Sequence, residues 1–192
     1  GNVTLTAGGI ITDTDAQADV TANTATIVAA GFGSSANPIN TTVASLNVDT
    51  SGANGNQFIT ESDTLTQLNL NAGTGNVTLN ANGSVTDADA AADIIGNTTT
   101  VTLTAVGDLG TAVNPIGTTV ASLNVSTALF NGNQFITETD GLTALNVNAG
   151  TGSITLTAGG AITDTDVDTD VAASAATLTA TALGALANPI NT

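Results

Sequence analysis

One stretch of this chain occurs three times, and the repetition limits the folds open to it. GNVTLTAGGIITDTD, Gly1 to Asp15, returns as GNVTLNANGSVTDAD, Gly75 to Asp89, and as GSITLTAGGAITDTD, Gly152 to Asp166. The spacings are 74 and 77 residues. A second marker, Asn37-Pro38-Ile39, recurs at Asn114-Pro115-Ile116 and Asn188-Pro189-Ile190. A third, NGNQFITE from Asn54 to Glu61, recurs from Asn131 to Glu138. Self-similarity at a fixed period marks stacked repeat architectures, in which each unit buries its apolar side only against its neighbours. The expected organisation is one continuous rod: repeat 1 over 1–74, repeat 2 over 75–151 and a partial repeat 3 over 152–192. A chain that begins and ends inside its own pattern reads as a window on a longer array.

Within each repeat the pattern is that of short strands. Val3-Thr4-Leu5-Thr6 alternates apolar and polar residues with period two, as a strand with one buried face requires. Ile10 to Thr12, Thr26 to Val28, Val43 to Val48, Gln57 to Thr60 and Leu68 to Asn71 read the same way. Gly, Asn, Asp or Pro stands in nearly every gap. Asp13 to Asn23 reads as a loop or bulged corner. No segment carries a helical period. Leu46 and Leu68 are 22 residues apart, as are Leu123 and Leu145, which is close to one turn of a parallel β-solenoid. The expected fold is therefore all-β, a parallel β-solenoid of 74–77-residue repeats with about three coils each. At ~4.8 Å per coil it makes a rod of about 35–40 Å. A run of three small β-sandwiches is the rival, but the units are short for it and lack its buried Trp and Tyr corner.

Composition narrows the function. The chain has no Lys, Arg or His and 16 Asp plus Glu, for a net charge of −16. Without cations, binding to nucleic acid or to anionic lipid has no electrostatic basis. No apolar run is long enough for a membrane helix, so direct membrane insertion is not expected. A hydrophobic fraction of 41%, regularly alternating with Thr and Asn, separates the chain from disordered acidic tails.

Asp-x-Asp-x-x-x-Asp carries the clearest chemistry. It occurs as Asp13, Asp15, Asp19, as Asp87, Asp89, Asp93, and as Asp164, Asp166, Asp170, with Asp168 added in the last. Carboxylates two apart on an extended chain point the same way, and a third from the loop adds oxygens that suit Ca²⁺. The spacing is neither an EF-hand nor the nonapeptide calcium repeat. The same residues also read as an acidic, solvated loop that discourages association. Glu61 with Asp63, and Glu138 with Asp140, form a second acidic pair after each NQFIT strand. Carboxylate pairs can hydrolyse sugars. These recur in successive units without a cation or an aromatic platform, so no enzyme is expected. Phe58 and Phe135 read as core or corner packing; Phe32 and Phe130 are less regular, and an exposed contact with a neighbouring chain is the lesser alternative for Phe130, beside Leu129 in a turn-like stretch. Asn-x-Thr/Ser triplets at Asn2, Asn40, Asn76, Asn82, Asn97 and Asn124 are expected by chance in so Asn- and Thr-rich a chain.

The texture of GNVTLTAGGIITDTD and its copies resembles the repeats of large bacterial surface proteins of the filamentous haemagglutinin type. The resemblance extends over the whole chain. It implies a right-handed parallel β-helix shaft, export, and an extracellular or cell-surface location, and carries no catalytic residues. The expected function is a structural shaft segment of a bacterial adhesin, fibre or matrix protein. Such a segment is continued covalently at its ends or associates with itself, end to end or laterally. A surface module for a glycan or host protein, or a calcium-dependent assembly protein, are the alternatives.

Overall fold

The computed structural model describes residues 1–103, 107–185 and 188–192. All of its regular structure is strand: β1 (Asn2–Thr6), β2 (Ile10–Ile11), β3 (Val20–Val28), β4 (Gly31–Phe32), β5 (Ile39–Asp49), β6 (Gln57–Glu61), β7 (Gln67–Asn71), β8 (Val77–Ala81), β9 (Ile94–Ile95), β10 (Thr98–Leu103), β11 (Ile116–Thr119), β12 (Ser122–Ser126), β13 (Gln134–Glu138), β14 (Ala144–Asn148), β15 (Ser153–Ala158), β16 (Val171–Ala172) and β17 (Ala175–Thr179). Each strand pairs in parallel with the strand two places on in sequence, as β1 does with β3 and β6 with β8. Odd-numbered strands thus form one ladder and even-numbered strands another, and two consecutive strands make one turn. The long β3 and β5 bend between the ladders, Ile39–Thr41 of β5 pairing with β6 and Val20–Ala22 of β3 with Thr41–Val43, before Thr24–Val28 and Ser45–Asp49 join the odd ladder. The chain is a parallel β-solenoid of eight such turns, ~38 Å long at the usual strand spacing.

The alternation explains the ladders. Leu46 lies opposite Leu68, and Val48 opposite Leu70; all four are buried. Their outward neighbours Asn47 and Asn69 also pair. Branched aliphatic side chains stack into columns, and the columns form one core from Ala25 to Val171. A narrow interior filled by Val, Ile, Leu and Ala has little room for aromatic rings, and Phe32 is the one fully buried.

Each repeat holds three and a half coils, against the expected count of about three. Strand β1 is repeated as β8 and again as β15, seven strands on each time. Seven strands are three and a half turns, so each repeat begins on the ladder opposite to the last. Glu61 continues the even ladder into Ala81, whereas its counterpart Glu138 continues the odd ladder into Ala158. Any feature carried once per repeat therefore faces opposite sides of the rod in successive repeats.

Two further expectations change. The stretch Asp13 to Asn23 is loop only as far as Asp19. Val20 to Ala22 pairs with Thr41 to Val43, turning Val20 and Ala22 toward the interior. In NQFIT the inward positions belong to Gln57 and Ile59, and to Gln134 and Ile136. Phe58 and Phe135 face outward and are half-buried, Phe135 lining a groove with Ala112 and Pro115. The corner decides this. Gln57 Nε2 donates to Val48 O and Thr50 Oγ1, both at 3.1 Å. Gln134 Nε2 donates likewise to Thr127 Oγ1 and Asn148 O. A buried backbone carbonyl at a bend needs such a donor, and phenylalanine has none to give.

The preceding turn is built for stacking. Asn54 and Asn131 take left-handed φ values of 54° and 60°, a conformation asparagine tolerates. Their Oδ1 atoms accept from the backbone N–H of Thr74 and Thr151 one coil later, at 3.0 and 2.8 Å. Asn56 and Asn133 accept in the same way from Asn76 and Ser153.

Candidate functional site

Each Asp-rich segment is an insertion within a strand. In repeat 2 the chain leaves the odd ladder after Val85, loops out through Asp87, Asp89 and Asp93, and rejoins at Ile94. One coil later it leaves again after Leu109, passes through the Asn114-Pro115 turn, and rejoins at Ile116. The two loops stack on each other. Repeats 1 and 3 do the same on the even ladder.

The three aspartates of a loop have distinct jobs. The first reaches back: Asp87 Oδ1 accepts from Leu68 N at 3.0 Å, and Asp164 Oδ1 from Leu145 N at 3.3 Å. Their Oδ2 atoms accept from Asp89 N and Asp166 N at 2.7 and 2.8 Å. The middle aspartate closes the next turn, Asp89 Oδ1 accepting from Ala91 N and Asp166 Oδ1 from Asp168 N. The third reaches forward. Asp93 N donates to Gly117 O at 2.8 Å, and Asp93 Oδ2 accepts from Gly117 N at 2.6 Å. Asp19 with Asn40, and Asp170 with Asn191, form the same reciprocal pair. Short polar side chains that bond local backbone explain why Asp, and not Glu, fills these positions.

This arrangement concentrates negative charge. One carboxylate oxygen from each of Asp87, Asp89 and Asp93 lies within 4.8 Å of the others, and the same holds for Asp164, Asp166 and Asp170. Asp13, Asp15 and Asp19 belong to the outermost coil, where Asp15 and Asp19 are exposed, and there the Asp19 carboxyl meets Asp13 and feels the charge of Asp15. Asp87, Asp93, Asp164 and Asp170 are buried, while Asp89 and Asp166 face solvent. Burial pushes the Asp93 carboxyl up to about 7, helped by the charges of Asp87 and Asp89 and opposed by the Gly117 N–H. Asp170 and Asp19 are also raised, first by burial and then by neighbouring aspartates. Three oxygens at this spacing suit a hard divalent cation, which would relieve the repulsion that otherwise favours a proton.

The second acidic pair sits at a corner. Glu61 Oε2 accepts from Thr41 Oγ1 at 2.6 Å, and its Oε1 accepts from the N–H groups of Val43 and Ser62. Glu138 Oε2 accepts from Thr118 Oγ1 at 2.6 Å, and Oε1 from Asp140 N at 3.2 Å. Both glutamates are buried, and burial raises both, Glu138 to about 7. Sequence reasoning weighed acid–base chemistry at these residues and set it aside; the structure gives their oxygens to a threonine hydroxyl and to backbone N–H groups at the bend. Thr41 and Thr118, which complete each corner, went unnoticed in the sequence. Their one signal is spacing, each lying 20 residues before its glutamate.

Leu129 and Phe130 occupy the turn where repeat 1 has Gly52 and Ala53, and both are exposed. No protein-family model, curated protein or solved structure matches this chain.

Proposed function

We propose that this chain is a structural shaft segment of a bacterial surface or extracellular protein, such as an adhesin, fibre or matrix component. The observation that carries this reading is the continuity of the rod: two parallel ladders and one core run through every repeat. Pulling such a rod along its axis loads the hydrogen bonds of successive coils in series, while stacked core columns resist bending. The absence of Lys and Arg removes every trypsin site, which suits a life outside the cell. Force spectroscopy on the tethered chain tests the reading. A shaft gives coil-by-coil or repeat-by-repeat extension at sustained force, whereas collapse at negligible force rejects it. Immunolabelling of intact source cells tests the location, and signal confined to permeabilised cells would refute it.

A second reading, calcium-dependent assembly, is favoured by the convergence of three carboxylates in each of two loops and by the raised Asp93. The cation would bind Asp87, Asp89 and Asp93 in repeat 2, and Asp164, Asp166 and Asp170 in repeat 3. These loops face opposite sides of the rod, so bound calcium would bridge neighbours on two sides. If EDTA and excess calcium give the same melting temperature, this reading falls and the shaft reading stands.

A further inference from the structure

The geometry points to a binding cleft for a primary ammonium group beside Asp166 in repeat 3, at a place that repeat 2 fills with a side chain of its own. The site goes beyond the shaft reading and lies wholly within interior coils.

Two equivalent places differ in one side chain. Ahead of each Asp loop, three outward positions stack in a column. Before the repeat 2 loop they are Thr24, Ser45 and Gln67. Before the repeat 3 loop they are Thr98, Ser122 and Ala144. The loops themselves are anchored alike, Asp87 Oδ1 accepting from Leu68 N and Asp164 Oδ1 from Leu145 N. The last residue of the column makes the difference. Gln67 Nε2 donates to Asp89 Oδ2 at 3.1 Å and caps that carboxylate. Ala144 offers only a methyl group, and in its place there is a cleft of about 220 Å³, lined by Ser122, Asn124, Ala144, Asn146 and Asp166 among others. Asp166 Oδ1 accepts from Asp168 N, and among the described residues no group donates to its Oδ2.

Gln67 shows which chemistry the place accepts: an N–H donor on a flexible stem, reaching the outer oxygen of the middle aspartate. A second difference between the repeats sets the charge of that donor. Asp168 stands where repeat 2 has Ala91, so the loop that loses the cap also gains a fourth carboxylate. Beside so many carboxylates a cationic donor is favoured over a neutral amide. The chain has no Lys, Arg or His, so the cation comes from another molecule. An ammonium carries three donors. One serves Asp166 Oδ2, and the exposed Asn124 and Asn146 side chains and the Ser122 hydroxyl offer acceptors for the others. The aliphatic stem lies against the Ala144 methyl, leaving the charged head at the carboxylate. Lysine side chains and free polyamines share this chemistry.

Backbone amide NMR of the 192-residue chain tests the cleft, with spermidine and acetyl-trilysine amide as probes of equal charge. EDTA in the buffer keeps calcium off the same aspartates. Tetramethylammonium, a cation without an N–H, is the control. At least one probe is expected to shift the signals of Asn146, Asp166 and Asp168 saturably and to leave those of Gln67 and Asp89 in place. Ala144→Gln restores the cap and should weaken binding about tenfold or more, as loss of a hydrogen bond to a charged group does. Gln67→Ala should open a second cleft, with new shifts at Asp89. Both substituted positions lie on the outer face, and retained β circular dichroism verifies the fold. Tighter binding of spermidine assigns the cleft to a free polyamine, and tighter binding of the peptide to a lysine of another protein. Four results overturn the cleft while leaving the shaft reading intact: no shifts with either probe, shifts spread equally over both Asp loops, shifts unchanged by Ala144→Gln, or equal shifts with tetramethylammonium. The last three would mean diffuse attraction to a negative rod.

Discussion

Leu5, Leu79 and Leu156 are the same residue of the same motif in three copies, and the account assigns them different energies. Leu79 and Leu156 are fully buried, whereas Leu5 is 40% exposed on the end coil. Truncating a buried leucine to alanine removes about three methylene equivalents, ~2.4 kcal/mol of transfer free energy at ~0.8 each. The cavity left between stacked coils raises this to about 3–4 kcal/mol, within the usual range for such sites. Leu79 lies directly beneath Ile59, whose position is fixed by its own ladder and cannot sink into the gap. Leu5→Ala loses only the buried part of its side chain and leaves no closed cavity, so its cost is about 1–1.5 kcal/mol. The assay is urea denaturation followed by circular dichroism, at concentrations where the chain is monomeric. Leu79→Ala and Leu156→Ala should lower the midpoint by similar amounts, and Leu5→Ala by less than half as much, the difference being about 2 kcal/mol. Equal costs at all three positions would show that burial by stacking does not set the stability of the motif, and the reasoning would fail.

Acidification should stabilise the rod between about pH 8 and pH 5. The folded-state carboxyls of Asp93 and Glu138 lie near 7, above their ordinary values of 3.8 and 4.5, so the native state binds more protons than the unfolded chain in this window. Their contribution is fully present below the ordinary values and lost as pH rises through 7; solvent screening at the loop and corner holds it to roughly 1–2 kcal/mol per site. Thermal melts in calcium-free buffer check this, and a melting temperature that falls steadily from pH 8 to pH 5 would refute it. Gly55→Ala should destabilise by about 3 kcal/mol or more, because a β-carbon there runs into the carbonyl of Ala30. Gly52→Ala in the same turn meets nothing within 4 Å and should be close to neutral; similar midpoints for the two would contradict the stacking of the turn. Thr118→Val should cost about 1–3 kcal/mol by leaving the buried Glu138 without its hydroxyl donor, and an unchanged urea midpoint would show that this corner bond carries no weight.

Most of the fold was legible because a solenoid writes its period into the chain. The alternation in Val3 to Thr6 names the inward face, and the leucines 22 apart mark the turn. The half-turn was also legible, since 77 is three and a half times 22; dividing the repeat into whole coils concealed it. The orientation of NQFIT was harder. Phe58 and Ile59 are adjacent, so only one can face in, and hydrophobicity alone does not choose between them. The choice lies with Gln57 and Glu61, two residues to either side of Ile59, whose side chains serve the bends at both ends of the strand. The strand at Val20 to Ala22 was hidden because its partner, Thr41 to Val43, lies 21 residues away. The Asp motif was visible at once, but its division into backward, local and forward contacts depends on which coil lies above and which below. That order appears only once the ladders are built.

The half-turn displacement of successive repeats is the central structural claim, and one pair of distances tests it. The chain has no cysteine, so spin labels can be placed through Thr78→Cys with Thr155→Cys, and through Thr78→Cys with Asn146→Cys. Thr78 and Asn146 stand on the same ladder three rungs apart, ~14 Å along the axis. Thr155, the sequence counterpart of Thr78, stands on the opposite ladder, roughly 20 Å from Thr78 between backbones and farther between outward-pointing labels. The account predicts that electron–electron resonance gives a clearly longer distance for the Thr78–Thr155 pair than for Thr78–Asn146. Equal distances would mean that each repeat makes a whole number of turns, and would contradict it.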